Sequence, residues 1–308
     1  MQMSQIEQAL AIAAEGSISR AAHKLYLSQP NLSQALKQLE AELGKPLFER
    51  SGRGVVLTPF GREFLAFAQP AYRHFQMLGE FCSAAEQNLP LTFSVASQYL
   101  RFANTVFTEF CRNNCDVPYQ FSFIEGSFQE VVDLVQNYEA EMGILIMSPQ
   151  QRRIMLPVFK RNNLIYNKLA EEENMAAIVR CGHPLCVGGR TTVTVEKLSR
   201  YPMASYQDVH YSLLPGLGPM GLEHVKQMIT VKDRATLYEL LSKTDAFTLG
   251  VHNLMAYQNT DYYADKCALF LSDSKIQLEI GYIYNRSRPL SAIAEAYCRE
   301  LQRITQQE

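Results

Sequence analysis

The stretch "LYLSQPNLSQALKQLE", residues 25–40, begins with a short polar segment and continues with leucines at helical spacing. Leu32, Leu36 and Leu39 recur at i, i+4 and i+7, a rhythm that predicts one apolar helix face. Ser28 is a favourable N-cap residue for that helix. The pattern therefore predicts a helix packed on a small core, with amide and hydroxyl groups on its other side.

The residues on both sides of this stretch predict the rest of a small unit. A periodic apolar face over residues 3–13 predicts a first helix that Gly16 ends, and Ser17 can cap a short second helix. After the quoted stretch, "PLFERSGRGVVLT" (46–58) combines β-prone residues with arginines around two glycines, which predicts a two-stranded hairpin. Two helices, a tight turn, a third helix and a basic hairpin together indicate a winged helix-turn-helix.

A long helix is predicted from Thr58 onward. Its apolar residues alternate spacings of four and three, which is typical of a seam that pairs with the same helix of a second copy. Packing against the protein's own body is the alternative. The seam consists of Phe64, Ala68, Ala71, Phe75, Leu78 and Cys82.

The segment "AIAAEGSISRAAHKLYLSQPNLSQALKQLEAELGKPLFERSGRGVVLTPFG" resembles the N-terminal domain of LysR-type transcriptional regulators, with "EGS", "RAA", "LSQP", "QLEAELG", "PLFER" and "GRG" among the shared features. The resemblance implies a third helix that enters the major groove of DNA, a wing on the flanking backbone, and a dimer bound to an inverted repeat. The implied DNA contacts are Ser28, Gln29, Pro30, Asn31, Ser33, Gln34 and Lys37 on the helix, and Arg50 and Arg53 on the wing. The alternative is that these side chains are only solvated polar positions.

Gln34 departs from the family pattern, because many members carry arginine at this position. Arginine favours guanine and glutamine favours adenine, so the base preference at this position is expected to differ from that of such members.

The remaining two hundred residues predict two α/β lobes. Strands at 91–97, within "YQFSFIEGS" (119–127) and at 142–147, with helices between them, predict a doubly wound parallel sheet. A second α/β unit is expected to begin near Leu164, and the strand "LEIGYIYN" (278–285) with the last helix is expected to return to the first unit. LysR-type effector domains are similar to this two-lobed, periplasmic-binding-protein-like clamp, which closes on a small ligand.

The predicted fold class is therefore α/β, with an N-terminal all-α winged helix-turn-helix and a C-terminal two-lobed periplasmic-binding-protein-like effector domain. The expected divisions are 1–58 for the winged helix-turn-helix, 59–89 for the linker helix and 90–308 for the effector domain, with lobe I at 90–162 and 268–308 and lobe II at 163–267.

A cleft of this kind is lined by strand ends and helix N-termini, whose free N–H groups suit a carboxylate. A small anionic effector is expected there. The candidate contacts are Ser97, Gln98, Glu125, Ser127, Ser148, Ser205, Tyr206, Arg234 and Thr248. Each Ser or Thr has a simpler alternative as a helix cap. Arg234 follows Lys232 and Asp233, so a local ion pair or cap is the alternative for it.

Composition limits the other functions. The net charge is −2, so contact with DNA must be local. No phosphate-binding glycine loop or hydrolase motif occurs, and the six histidines lack metal-ligand spacing, so we expect neither an enzyme nor a metal or other cofactor. The first residues do not read as a signal peptide, and no apolar run reaches the roughly 18 residues of a membrane span, so a cytoplasmic protein is expected.

The seven cysteines allow a further alternative, a thiol-based redox sensor, because some LysR-type regulators sense oxidants through paired thiols. Cys111 and Cys115 are one candidate pair, and Cys181 and Cys186, which flank "GHPL", are the other. Inert thiols are the default in a reducing compartment.

The leading prediction is a dimeric or tetrameric, sequence-specific transcriptional regulator controlled by a small effector. The rival is a soluble small-molecule-binding protein, or an enzyme on the same two-lobed scaffold, without a DNA role. Binding to an inverted-repeat duplex that weakens steeply with salt would distinguish the two.

Overall fold

A computed structural model describes residues 1–51, 54–84, 91–115, 118–172, 175–206, 222, 225–251, 265–273 and 278–305. The chain divides into two units, Met1–Leu89 and Pro90–Glu308.

The first unit has the predicted order of three helices, a hairpin and a long helix. Gly16 ends the first helix with a left-handed φ of 58°, and Ser17 caps the second by accepting a hydrogen bond from the backbone N–H of Arg20. Ser28 caps the third helix in the same way, through the N–H of Asn31. The elements are α1 (Met3–Glu15), α2 (Ile18–Lys24), α3 (Gln29–Leu43), β1 (Phe48–Ser51), β2 (Gly54–Leu57) and α4 (Pro59–Ala84).

The leucines of α3 form the centre of this unit's core, as their spacing predicts. Leu32 and Leu39 are fully buried, and they pack in one cluster with Ile12 of α1 and Ala21 of α2. Burying each leucine contributes about 1.5–3 kcal/mol to the free energy of folding. Burial of this face leaves the opposite, polar face of α3 toward solvent.

The hairpin is held against the helices by close backbone contact. The N–H of Val55 donates to the carbonyl oxygen of Gly16 at 3.0 Å. Gly54 has a φ of +138°, and a Cβ there would lie 2.3 Å from that same oxygen, so only glycine fits. On the other side, Glu40 of α3 accepts a hydrogen bond from the N–H of Leu47 at 2.7 Å. The wing is therefore anchored at two points.

The predicted seam on α4 is divided between two environments. Phe64 and Ala68 pack into the core of the first unit, because this half of α4 lies against α1. Ala71 and Phe75 are exposed, and Phe67, which was not in the predicted seam, is 76% exposed. The exposed apolar stripe therefore runs along Phe67, Ala71 and Phe75. The side chains of the remaining seam positions, Leu78 and Cys82, lie outside the described residues.

The described part of the second unit contains a five-stranded sheet in lobe I, and a four-stranded sheet and a two-stranded sheet in lobe II. Its elements are β3 (Leu91–Ser97), α5 (Arg101–Asn113), β4 (Tyr119–Glu125), α6 (Phe128–Gln136), β5 (Met142–Met147), α7 (Pro149–Arg161), β6 (Leu164–Glu172), β7 (Met175–Arg180), β8 (Thr192–Val193), α8 (Val195–Leu198), β9 (Met203–Tyr206), β10 (Met228–Val231), α9 (Arg234–Lys243), β11 (Thr248–Val251), β12 (Lys266–Leu271), β13 (Leu278–Asn285) and α10 (Ala292–Thr305).

The sheet of lobe I has the strand order β4-β3-β5-β13-β6. β3 pairs in parallel with both β4 and β5, which confirms the predicted strand–helix–strand–helix–strand unit. Because parallel strands end at the same edge of a sheet, Ser97, Glu125 and Ser148 all lie at the carboxyl edge. The returning helix α10 places Tyr297 against Phe93, with ring centroids 5.3 Å apart.

The sheet of lobe II has the order β11-β7-β12-β8, and the parallel pair β9 and β10 lies beside it. The expected lobe boundaries at 162/163 and 267/268 need correction. β6 pairs antiparallel with β13 throughout its length, so it belongs to lobe I. β12 pairs with β7 and β8, so it belongs to lobe II. The chain passes between the lobes after β6 and again after β12.

We predict that Gly54→Ala loosens the wing. A methyl group must displace the Gly16 carbonyl, and the left-handed backbone is strained as well, so the free energy of opening at Val55 should fall by about 2 kcal/mol or more. Native-state hydrogen exchange of the Val55 amide measures this quantity.

Gly44→Ala is the matched control. Gly44 also has a positive φ, +71°, but no atom lies within 4 Å of a Cβ built there. It should cost about 1 kcal/mol through backbone strain alone. Equal protection of Val55 in the two variants would contradict the close contact with Gly16.

Candidate nucleic-acid interface and ligand cleft

The first turns of α3 present an exposed polar surface. Ser28, Gln29, Pro30, Asn31, Gln34 and Lys37 are exposed, and Ser33 is half-buried. The hydroxyl of Ser28 also accepts the hydrogen bond from the N–H of Asn31, so it caps the helix in addition to facing solvent. The side-chain amides on this surface can make bidentate hydrogen bonds to base edges. The ammonium group of Lys37 can contact a phosphate.

Of the predicted wing residues, the side chain of Arg50 and the whole of Arg53 lie outside the described residues. Sequence reasoning missed Tyr26, which precedes α3 with a φ of 55° and a side chain that is 96% exposed. The signal for it was its place in the short turn between two helices. A phenol so exposed, three residues before α3 begins, can donate a hydrogen bond to a phosphate oxygen.

A buried ion pair joins the two lobes at the cleft. Arg234, the first residue of α9 in lobe II, donates from Nε to Oε2 of Glu125 at 3.0 Å and from Nη2 to Oε1. Glu125 is the last residue of β4 in lobe I. Each side chain is only 18% exposed. Such a bidentate arrangement is the strongest geometry for a guanidinium and a carboxylate.

Of the two local alternatives for this segment, the helix cap is confirmed and the ion pair with Arg234 is wrong. Asp233 does not pair with Arg234 but caps α9, where it accepts a hydrogen bond from the N–H of Thr236 at 2.8 Å. Arg234 instead reaches the other lobe, and its Nη1 also donates to the hydroxyl of Tyr238 at 3.3 Å.

Two aromatic rings add a second contact between the lobes. Tyr99 follows β3 in lobe I and stacks on Tyr206 of β9, with ring centroids 3.7 Å apart and planes tilted by 9°. The hydroxyl of Tyr99 donates to the carbonyl oxygen of Lys232 at 3.0 Å. Tyr99 was missed because its role depends on a partner more than one hundred residues away in the sequence.

The surroundings of Arg234 and Tyr206 fix the protonation states of these two side chains. Burial opposes the charge on Arg234, but the hydrogen bonds that it donates to Glu125, together with its electrostatic interactions with Tyr238, Glu125 and Tyr206, outweigh this effect and raise the pKa of Arg234, so the guanidinium stays charged. Burial raises the pKa of Tyr206, so its phenol stays neutral.

Four of the other predicted contacts use their polar atoms inside lobe I. The hydroxyl of Ser97 donates to the carbonyl oxygen of Gln98, and Oε1 of Gln98 accepts from the N–H of Ile146. Ser127 and Ser148 cap α6 and α7, which is the simpler alternative given for them. These residues stabilise the strand ends and helix starts at the cleft edge.

The two remaining predicted contacts lie in lobe II. Ser205 is half-buried on β9, in register with Thr230. Thr248 is the first residue of β11, and it is 8% exposed. The residues that the structure brings together at the cleft are therefore Glu125, Tyr206 and Arg234 from the prediction, with Tyr99 and Tyr238 added.

A cavity of about 330 Å³ lies on the lobe I side of Glu125. The acidic residues Glu125, Glu130, Asp133 and Glu139 are among those that line it. Glu130 is stabilised by the N–H of Ser127, and this hydrogen bond lowers its pKa.

The expected pair Cys181 and Cys186 lies in one cluster, because the two thiols interact electrostatically and both hydrogen-bond with Cys267. Cys181 approaches Cys267 of β12, with Sγ atoms 3.0 Å apart, and Cys115 lies beyond the end of α5. The hydrogen bond with Cys267 raises the pKa of Cys181 to about 11, and burial raises the pKa of Cys186 and of Cys111. Raised pKa values keep these thiols protonated near neutral pH, which argues against fast reaction with an oxidant.

We predict a shifted pH profile for alkylation of Cys181. Only the thiolate reacts, so the rate with iodoacetamide should rise about tenfold per pH unit up to the raised pKa near 11. In the chain unfolded with guanidinium, the contact with Cys267 is lost and the profile should lie at lower pH. Mass spectrometry of the Cys181 peptide measures both rates, and coincident profiles would contradict the contact.

Two absences hold for the part of the chain that the structure describes. No helix there is long and apolar enough to cross a bilayer. No group of three or more His, Cys, Asp or Glu side chains there is placed to hold a metal ion.

Comparisons with known proteins agree with this architecture. A family model described as "Bacterial regulatory helix-turn-helix protein, lysR family" matches residues 3–62, and one described as "LysR substrate binding domain" matches residues 91–305. The transcriptional regulator CysB of Burkholderia cenocepacia is 29% identical over 218 residues, which cover 66% of this chain and 64% of CysB. The uncharacterized regulator YcgK of Bacillus subtilis is 47% identical over 73 residues, 24% of this chain and 22% of YcgK. The matches thus span less than two thirds of either relative.

Solved structures share the fold. CbnR, a LysR family transcriptional regulator, superimposes with a TM-score of 0.63 at 18% identity, over 99% of this chain and 100% of CbnR. A full-length OxyR variant from Pseudomonas aeruginosa has a TM-score of 0.58 at 19% identity, over 100% of this chain and 95% of that one. With family models that match residues 3–62 and 91–305, most of its length, the chain belongs to the LysR family of bacterial regulatory helix-turn-helix proteins.

Proposed function

We propose that this protein is a sequence-specific DNA-binding transcriptional regulator. It works in the cytoplasm as a homodimer or homotetramer, binds an inverted-repeat site, and responds to a small molecule in the cleft of its second unit. Binding there changes the spacing of the DNA-binding units.

The polar face of α3 carries the DNA-binding proposal. Gln29, Asn31, Gln34 and Lys37 are exposed on the first turns of a helix whose other face is locked into a leucine core. The anchored wing follows directly, so one rigid unit offers both base-reading and backbone-contacting groups. CbnR, which has the same fold, has been solved in complex with its target DNA.

The apolar stripe on α4 supports self-association. Phe67 and Phe75 are 76% and 51% exposed, and Ala71 lies between them on the same helix face. Large apolar side chains in a row are costly to leave in water, and a second copy of α4 would cover them. Association of two copies supplies the pair of recognition helices that an inverted repeat requires.

The interlobe contacts support control by a small molecule. The ion pair of Glu125 with Arg234 and the stack of Tyr99 on Tyr206 close the cleft with side chains that can separate. A ligand with different affinities for the open and closed arrangements shifts the population between them.

A gel-shift titration of the full-length protein tests the DNA role. We expect it to prefer a duplex carrying the inverted repeat from its own upstream DNA over a scrambled duplex, with affinity that falls steeply as salt rises. Lys37→Ala should weaken binding to both duplexes and lower the slope of log affinity against log salt by about one. Gln69→Ala, an exposed residue of α4 outside the predicted contacts, should change neither. Absence of any preference for the repeat would favour the rival, a small-molecule-binding protein without a DNA role.

We predict that Gln34→Arg changes which base is read. A guanidinium pairs with guanine and adds a positive charge, so non-specific affinity should stay the same or increase while one half-site position shifts from adenine toward guanine. Selection from a library with randomised half-sites measures the preference. An unchanged preference would remove Gln34 from the base-reading residues.

A further inference from the structure

We propose that the effector is a small zwitterion, with a carboxylate that replaces Glu125 at Arg234 and a protonated amine that replaces Arg234 at Glu125. The inference rests on the proposed function, because it specifies the ligand of the same cleft. It changes the expectation of a simple anion.

The two charges at the cleft already satisfy each other. Arg234 makes a bidentate pair with Glu125, and both side chains are more than four-fifths buried. The pair links lobe I to lobe II, so a ligand that enters between the lobes at this point must separate it. Separation exposes one guanidinium and one carboxylate to the ligand at the same time.

A ligand with only one charge can pair with only one of these two groups. A simple carboxylate can take the place of Glu125 on the guanidinium, but it leaves the buried carboxylate of Glu125 without a cation. An unpaired buried charge is strongly unfavourable, and removing one partner of a buried pair is costly for that reason. A simple amine leaves Arg234 unpaired in the same way. A zwitterion supplies a partner to each.

The surrounding charge decides which way the zwitterion lies. The cavity beside Glu125 is lined by three further acidic residues, Glu130, Asp133 and Glu139. Glu130 is already balanced by its cap to Ser127 and by Lys232. Glu125 is the carboxylate that loses its cation when Arg234 is withdrawn, so the amine points toward lobe I.

Matched sets of small molecules test the proposal on the full-length protein. Each set contains an L-α-amino acid, the carboxylic acid that lacks its amine, and the amine that lacks its carboxyl. The increase in melting temperature, confirmed by calorimetric titration, reports binding to the folded protein. We expect at least one amino acid to bind with an affinity about tenfold or more above that of both of its singly charged counterparts.

Two variants assign the charges. In Glu125→Gln the carboxylic acid should bind as well as the amino acid, because no buried carboxylate requires an amine. In Arg234→Gln the carboxyl should no longer contribute, and Arg234→Lys should restore part of its effect. Arg180→Gln is the control, since Arg180 pairs with Asp245 within lobe II and should leave the discrimination unchanged.

The outcomes separate the two levels of the proposal. A carboxylic acid or an amine that binds the unaltered protein as tightly as its amino acid overturns the zwitterion assignment and leaves effector control standing. Unchanged discrimination in Glu125→Gln also overturns it. If no molecule of any charge stabilises the protein, effector control in this cleft fails, and the zwitterion assignment fails with it.

Discussion

The carboxylate of Glu125 and the guanidinium of Arg234 stabilise each other, because each is largely removed from water and would be an unpaired charge without the other. Each lies at the end of a regular element, Glu125 at the last position of β4 and Arg234 at the first position of α9. The two elements belong to different lobes, so the pair transmits the position of one lobe to the other. The chain also passes twice between the lobes, but those connections are covalent, whereas the ion pair can exchange its partners.

The exchange explains why affinity and conformation are coupled at this cleft. In the closed arrangement the protein's own charges occupy the positions that a ligand would take, so a ligand must exceed the free energy of that internal pair. A ligand that replaces only one partner leaves the other charge buried and unpaired, and this lowers the affinity of the ligand. Specificity then comes from the cost of leaving a charge unpaired more than from the number of contacts made.

The first unit holds its side chains in fixed positions, since none of its described contacts is a buried charge pair at which a ligand could replace one partner. The wing lies so close to the turn between α1 and α2 that a side chain at position 54 would collide with the carbonyl oxygen of Gly16. Glu40 holds the start of the wing from the α3 side. A rigid frame keeps the exposed amides of α3 at constant positions relative to the wing, which is what reading a base edge requires. The first unit thus keeps a fixed geometry, whereas the two lobes of the second unit can move relative to each other.

The sequence by itself determined the elements whose signals are local. The caps at Ser17 and Ser28, the stop at Gly16, the leucine face of α3 and the parallel β3–β4–β5 unit follow from spacing, propensity and turn chemistry within a few residues. The polar face of α3 was predictable for the same reason, because burying the leucines leaves only one direction for the remaining side chains.

Only the tertiary structure decided which distant groups meet. β6 looked like the start of a new lobe, but its pairing with β13 assigns it to lobe I. Arg234 had acceptable neighbours in the sequence, yet its partner is Glu125, and Cys267 of β12 hydrogen-bonds with both Cys181 and Cys186. In each case strand pairing and the approach of the lobes select the partner, and a periodic pattern contains no information about contacts between residues so far apart in the chain.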